Sequence, residues 1–566
     1  MRFQELLACT AMVSLLSSCG GDSVASTPAP PSSPTPTTNA TLTDLQYSQS
    51  FQNDAAAIGA SWDLTTKTGI SSSAKSAKLN IAYDAQTNGY TISTDGYSQT
   101  FLPADQISSD DYDTKYAKDN AYLTLTSKGY AAGLVTKYVR GGLLQHNSVN
   151  GSTQNTDLTS FTYGLPTNAT ATPRTGSAAF ATEAFGAVTA PGEEPKSFQG
   201  AGQIDIDFAL GVFRGHSYLT EYSLVGEGNT SGGGIELTTV GQLSSDGAGL
   251  SGTAIYGGWD GEVATDLTGS LYGPSGQELG ATFSGQNADG MSVTGSIVGQ
   301  RDSTLTPANL SFANMTQEQT FYTRMSQYAG GILTWQNSET FLYSGYSSAE
   351  SGGQFTIADK VDGRPNFTTY QKTFPNDYYG TQDVTLELYK TGSSNSELAL
   401  TYASFGQWQG SLPASYNGPA SHWFIYGFAT PNSALASRTG SASYEGVAYA
   451  RGTGSAGERY DVSGTSRLAV DFGSDTFTGA LALTGRDTTT DAAADFGSTA
   501  FSGTLNNRSS TLTGDFSAGG ALGSAIYGQF FGPSGQELAG TFVFNVPEGA
   551  AAAGTNINGV FAATRN

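Results

Sequence analysis

The 566-residue chain carries 48 acidic against 25 basic side chains, a formal charge of −23 that repels nucleic acid and anionic lipid head groups and suits a basic protein face or a cationic ligand. Its two cysteines, Cys9 and Cys19, lie at the very N-terminus, so the rest of the chain has no thiol for a disulfide, a zinc site or a nucleophile. Glycine, at 73 residues, is close to twice ordinary usage and predicts many short strands joined by tight turns.

In chain order, Met1 to Ser18 has one early arginine, Arg2, then a short apolar run ending in Leu16-Ser17-Ser18 directly before Cys19. This is the pattern of a bacterial lipoprotein signal, with Cys19 as the lipid attachment site; the run is too short for a spanning helix, which needs roughly twenty apolar residues. Gly20 stands where an aspartate would favour inner-membrane retention, which points to the outer membrane. Residues 19–44 include a stretch from Asp22 to Thr43 rich in Pro, Ser, Thr and Ala, a solvated tether whose roughly twenty residues could reach about 60 Å at roughly 3 Å each.

The body is predicted to be all-β. Gln203 to Phe208 alternates strictly between polar and apolar residues, and Arg467 to Phe472 repeats the pattern with Ala469 at a polar position, each reading as a half-buried antiparallel strand. These two segments are copies. Arg174-Thr175-Gly176-Ser177-Ala178 returns at 438–442 and Asp207-Phe208 at 471–472, in both cases 264 positions on. The heptapeptide Gly-Pro-Ser-Gly-Gln-Glu-Leu occurs at 273–279 and at 532–538, 259 apart, so length changes fall in loops between fixed strands. A period of this size means a tandem domain duplication. Within each copy, a stretch richer in Tyr, Asp and Lys precedes a glycine-dense one. The expected division is a first handle at 45–160, a first barrel of about eight strands at 161–302, a second handle at 303–420 and a second barrel at 421–566.

The repeated segment aromatic-Gly-Pro-x-Gly-x-Glu-x-x-(Gly/Ala)-x-Phe, Tyr272 to Phe283 and Phe531 to Phe542, resembles the barrel signature of the transferrin-binding protein B family. The lipoprotein signal, the low-complexity tether and the handle-then-barrel order repeated twice resemble that family's two-lobed surface lipoproteins. The resemblance implies a cell-surface, lipid-anchored protein that captures an extracellular protein ligand, such as an iron or haem carrier, for a TonB-dependent outer-membrane transporter, with no cofactor of its own and no nucleic-acid partner. The alternative is a surface interaction or adhesion lipoprotein with no uptake role; iron-repressed expression would separate the two.

The signature residues Gly273, Pro274, Gly276, Glu278 and Phe283, with Gly532, Pro533, Gly535, Glu537 and Phe542, are read as structural: the glycines and prolines make a tight turn, Gly276 and Gly535 supply positive φ, and the glutamates accept backbone N–H bonds. A paired-carboxylate hydrolase would need Glu278 and Glu537 to meet across one cleft, whereas they belong to separate domains. His146, His216 and His422 are scattered, no HExxH or GxSxG occurs, and two GxGxxG matches, at Gly247 and Gly452, lack a strand-to-helix context. No enzyme and no metal site is expected. Candidate docking anchors are aromatic residues on irregular handle loops: Phe101, Tyr112 and Tyr116 in the first lobe and Phe374, Tyr378 and Tyr379 in the second.

Overall fold

The structure, a computed structural model, describes residues 38–566 except 132, 226–233, 326–328, 338, 346–349, 378–379, 412–419, 437, 507–508, 518–524 and 550–551. The signal segment and Cys19 lie outside the described residues. The fold is all-β, with a single α-helical turn, Ser433–Ala436, among the described residues.

Each copy forms a curled sheet followed by a closed eight-stranded antiparallel barrel. The first barrel closes where Ser177–Thr189 pairs with Ser292–Arg301, and the second where Ser441–Thr453 pairs with Asn556–Arg565. Phe180, Phe198, Tyr256 and Phe283 fill the first interior; Phe477, Phe501, Phe516 and Phe542 fill the second. In the strand Arg459–Asp471, Val462, Leu468 and Val470 point into this core while Asp461, Ser463, Thr465 and Arg467 face out. Apolar inside and polar outside reverses the pattern of a membrane-spanning barrel, so this wall is built for water.

The twin strand Lys196–Asp207 departs from the expected half-buried alternation. Asp205 (8% exposed) and Asp207 (2%) are buried along with Ile204 and Ile206. The cause is tertiary cover: the segment joining the lobes lies over this strand, with Gln203 Nε2 donating to the Thr306 carbonyl at 3.2 Å, and Leu210 packs on the seam of the second lobe. Asp207 also shapes its turn, accepting from the Ala209 and Leu210 N–H groups, as Asp471 accepts from Gly473 and Ser474.

In the first handle the spatial order is Tyr97–Phe101, Gly89–Thr94, Leu79–Asp84, Gln49–Asp63, Thr153–Gly164, Val139–Asn150, Ala121–Thr126, Asp113–Lys118 and Gln106–Ser109, with Gly69–Lys75 added beside Gln49–Asp63. The second handle repeats the order as Gly353–Phe355, Thr340–Ser344, Ala329–Asn337, Gln319–Arg324, Ala420–Gly427, Ala403–Gly410, Gly380–Tyr389, Phe367–Asn376 and Lys360–Val361. The chain thus enters and leaves each handle at the middle of its sheet, beside the barrel.

The expected boundaries shift accordingly. Asn39 and Leu42 are already buried, so the first handle begins inside the stretch read as tether; the Thr/Asn composition there hides a chain that is hydrogen-bonded to the handle through Leu42 N–H and the Lys137 carbonyl. The expected borders at 160 and 420 fall within or at the edge of the handles' last strands, Thr153–Gly164 and Ala420–Gly427.

Candidate functional site

The signature segment is a joint between handle and barrel. Gly273 (φ 86°) and Gly276 (φ 68°) hold the left-handed conformations of the turn, as do Gly532 (φ 85°) and Gly535 (φ 66°). A Cβ on Gly273 would stand 2.6 Å from Tyr138 of the handle, and one on Gly532 would stand 2.7 Å from Tyr402. Pro274 and Pro533 preset the backbone of the turn's second residue. The Gly273 N–H bonds the Leu165 carbonyl and the Gly532 N–H bonds the Phe428 carbonyl, tying each turn to the chain leaving its handle.

Glu278 (1% exposed) and Glu537 (4%) reach from this joint into the handle. The Glu278 carboxylate accepts from the N–H groups of Lys137 (2.7 Å), Tyr138 (2.7 Å) and Val139 (3.0 Å). Glu537 accepts from Thr401 (2.6 Å), Tyr402 (2.9 Å) and Ala403 (2.7 Å). Burial pushes both carboxyls above the usual range, and the N–H bonds pull them part of the way back. Each glutamate is consumed by its own lobe, so the two do not form a shared acid/base pair. Phe283 and Phe542 are fully buried in the barrel cores.

The aromatic anchors fare differently. Phe101 (0% exposed), Tyr116 (7%) and Phe374 (7%) are core residues of the handles. Phe101 and Tyr116 pack with ring centres 6.1 Å apart, and Phe374 meets Phe355 at 5.2 Å. This corrects the expectation that they face a partner: they sit on strands whose other face is already solvated, so their rings turn inward. Tyr112 is at the surface (37% exposed), stacked on Tyr130 at 5.5 Å with Lys128 Nζ 5.3 Å from its ring centre. Tyr378 and Tyr379 lie outside the described residues.

Sequence reading missed a second repeated device. Lys118 Nζ donates to the Thr100 carbonyl (3.0 Å) and to Asp105 (3.2 Å), clasping the two outer edges of the first sheet. Lys372 does the same with Gln354 (2.8 Å) and Asp359 (3.1 Å). The signal was present as Phe-x-x-Ala-Asp at 101–105 and at 355–359. It also makes Phe355, rather than Phe374, the counterpart of Phe101.

Residues 431–565 match the family model described as "C-lobe and N-lobe beta barrels of Tf-binding protein B". The second barrel belongs to that family. The first repeats its strand order and signature turn. No curated protein matches the chain. Among solved structures, transferrin-binding protein B of Haemophilus parasuis is similar at 14% identity over 90% of this chain and 95% of that one, with a TM-score of 0.26. That of Neisseria meningitidis is similar at 18% over 78% and 87%, TM-score 0.24, and the N-lobe of lactoferrin-binding protein B of Moraxella bovis at 13% over 44% and 99%, TM-score 0.22. Scores this low leave the assignment resting on the matched barrel.

Proposed function

We propose that the chain is an outer-membrane surface lipoprotein that captures an extracellular protein carrying iron or haem and passes the cargo to a TonB-dependent transporter. The observation that carries this reading is the transferrin-binding protein B-type barrel at 431–565, with its signature turn doubled in the first lobe. The signal ending at Cys19 and the proline-rich tether support a lipid anchor with reach. The fold of the signature glutamates into structural bonds supports binding over catalysis. Of the aromatic anchors, Tyr112, with Tyr130 and Lys128, remains as a surface feature on the first handle.

The test is capture by the whole mature chain from serum and from iron-limited medium, beside growth of a deletion strain on carrier-bound iron. Retention of an iron or haem carrier and a growth defect are expected, with Tyr112→Ala weakening retention by roughly three- to tenfold. A folded chain that retains no carrier, in a strain whose iron growth does not change, would overturn capture and favour adhesion.

A further inference from the structure

Between the two lobes lies a cleft of about 820 Å3. Arg214, Val240 and Ile255 of the first barrel form one wall, Tyr322 and Arg324 of the second handle another, and Tyr527 of the second barrel the third. The chain as a whole carries a charge of −23, yet the charged groups lining this cleft are two guanidiniums and one carboxylate, Glu262.

Both arginines are exposed and neither makes a salt bridge with a described residue. The Arg324 guanidinium lies over the Tyr527 ring, 4.1 Å from its centre, a cation–π contact that holds the charge at the cleft wall. Arg214 stands across the ladder from Asp205, whose carboxylate accepts from Gln203 at 2.7 Å and feels the Arg214 charge without forming a direct ion pair with it.

A second, independent observation comes from the twin lobe. Tyr322 (79% exposed) pairs with Ile332 (39%), and Leu342 (39%) continues the same outer face on the next strand. Aligning the ladder Phe321, Leu333, Tyr343 with its counterpart Phe51, Ile81, Ile92 places Gln52, Asn80 and Thr91 at those positions in the first handle. The fold therefore accepts polar residues on this face. Only the second lobe has made it apolar, and Tyr322 carries that surface into the cleft. Exposed apolar area beside exposed guanidiniums that make no direct salt bridge with a described residue marks recognition rather than packing.

We propose that the interlobe cleft binds a small amphipathic organic anion, its acidic head held by Arg214 and Arg324 and its apolar body laid on Tyr322 and Tyr527. The cleft volume suits a ligand of several rings or an equivalent aliphatic body. This site is independent of partner capture, and either can fail without the other.

The test uses the whole mature chain with Cys19→Ser, titrated by fluorescence with 1-anilinonaphthalene-8-sulfonate and, in parallel, with uncharged N-phenyl-1-naphthylamine. Saturable one-to-one binding of the sulfonate is expected. Arg324→Gln and Arg214→Gln should each weaken it by roughly tenfold and Tyr322→Gln by about threefold, while Arg467→Gln, an exposed arginine on the far barrel wall, changes nothing. The uncharged dye should bind more weakly and ignore the arginine variants. Because all these side chains are exposed, loss of folding does not confuse the result. Equal affinity for both dyes, or a sulfonate affinity untouched by both cleft arginine variants, would overturn the proposal.

Discussion

The two lobes share one joint and differ in the seam that runs from it between handle and barrel. In the first, the 15-residue strand Gln49–Asp63 and the added strand Gly69–Lys75 lie across the barrel wall. Beside two small apolar clusters, that seam is rich in small and hydroxyl residues: Thr294 donates to the Ala56 carbonyl (2.8 Å), Ser72 to the Gly290 carbonyl (2.7 Å), and Ser160, Thr162, Thr182 and Ser296 are buried. In the second, the corresponding strand stops at Arg324 and the seam is aromatic. There Arg364 is gripped by Glu387, its guanidinium 4.1 Å from the Phe367 ring centre and 5.5 Å from that of Tyr449, and Glu397 accepts from Tyr389 (3.1 Å) and Tyr449 (2.7 Å). Fixing the joint by a few backbone bonds frees the seam to diverge, because the orientation of handle on barrel no longer depends on which side chains meet there.

The sharpest way to break this comparison is to remove the joint in one lobe at a time. Glu278→Ala leaves three N–H groups, one buried and two partly buried, without an acceptor and should cost about 3–5 kcal/mol in the first lobe; Glu537→Ala should cost the same in the second. Chemical denaturation with lobe-resolved probes checks this, and a lobe that tolerates the change shows that its seam, not its joint, sets the arrangement. Next in size, Gly276→Val and Gly535→Val force a branched side chain into φ 68° and 66°, for about 2–3 kcal/mol each, again equal in the two lobes.

Much of this was legible in the sequence, and what was not has a physical reason. Duplication, all-β class, barrel and structural glutamates were readable because they rest on local pattern: period-two alternation, glycine turns and a spacing that repeats. The partners of Glu278 lie about 140 residues away in the chain, so sequence could say that it accepts N–H bonds but not whose. Burial of Phe101, Tyr116 and Phe374 was misread because loop composition around them suggested surface, whereas side-chain direction is set by the strand register. The interlobe cleft has no sequence signal, since its walls come from three separate domains.

The seams can also be told apart by pH. Asp54, on the first-lobe strand that crosses the barrel, has its carboxyl pushed up from 3.8 to about 6, chiefly by burial, with Ser270 and Tyr272 opposing. A raised folded-state value means that its contribution to stability is fully present below about 4 and is lost as pH rises through about 6. Asp54→Asn should therefore stabilise the first lobe by about 2–3 kcal/mol at pH 8 and leave it unchanged at pH 3.5. The second lobe should not respond, and a response there would show that the lobes do not unfold separately.

The smallest effect is expected where the handles are most alike. Lys118 and Lys372 each bridge the outer edges of a curled sheet, binding a carbonyl on one edge and the aspartate of the connecting turn. Their side chains remain about one third exposed, so water screens the ion pair and most of its energy is matched by hydration when it breaks. Lys118→Met or Lys372→Met should cost no more than about 1 kcal/mol globally. Hydrogen exchange should nevertheless rise at Tyr97–Phe101 and Gln106–Ser109, or at Gly353–Phe355 and Lys360–Val361, because edge strands open long before the barrel does. Matched local loosening in both handles would make the clasp part of the duplicated design. Loosening in one alone would assign its upkeep to whatever that handle's surface meets.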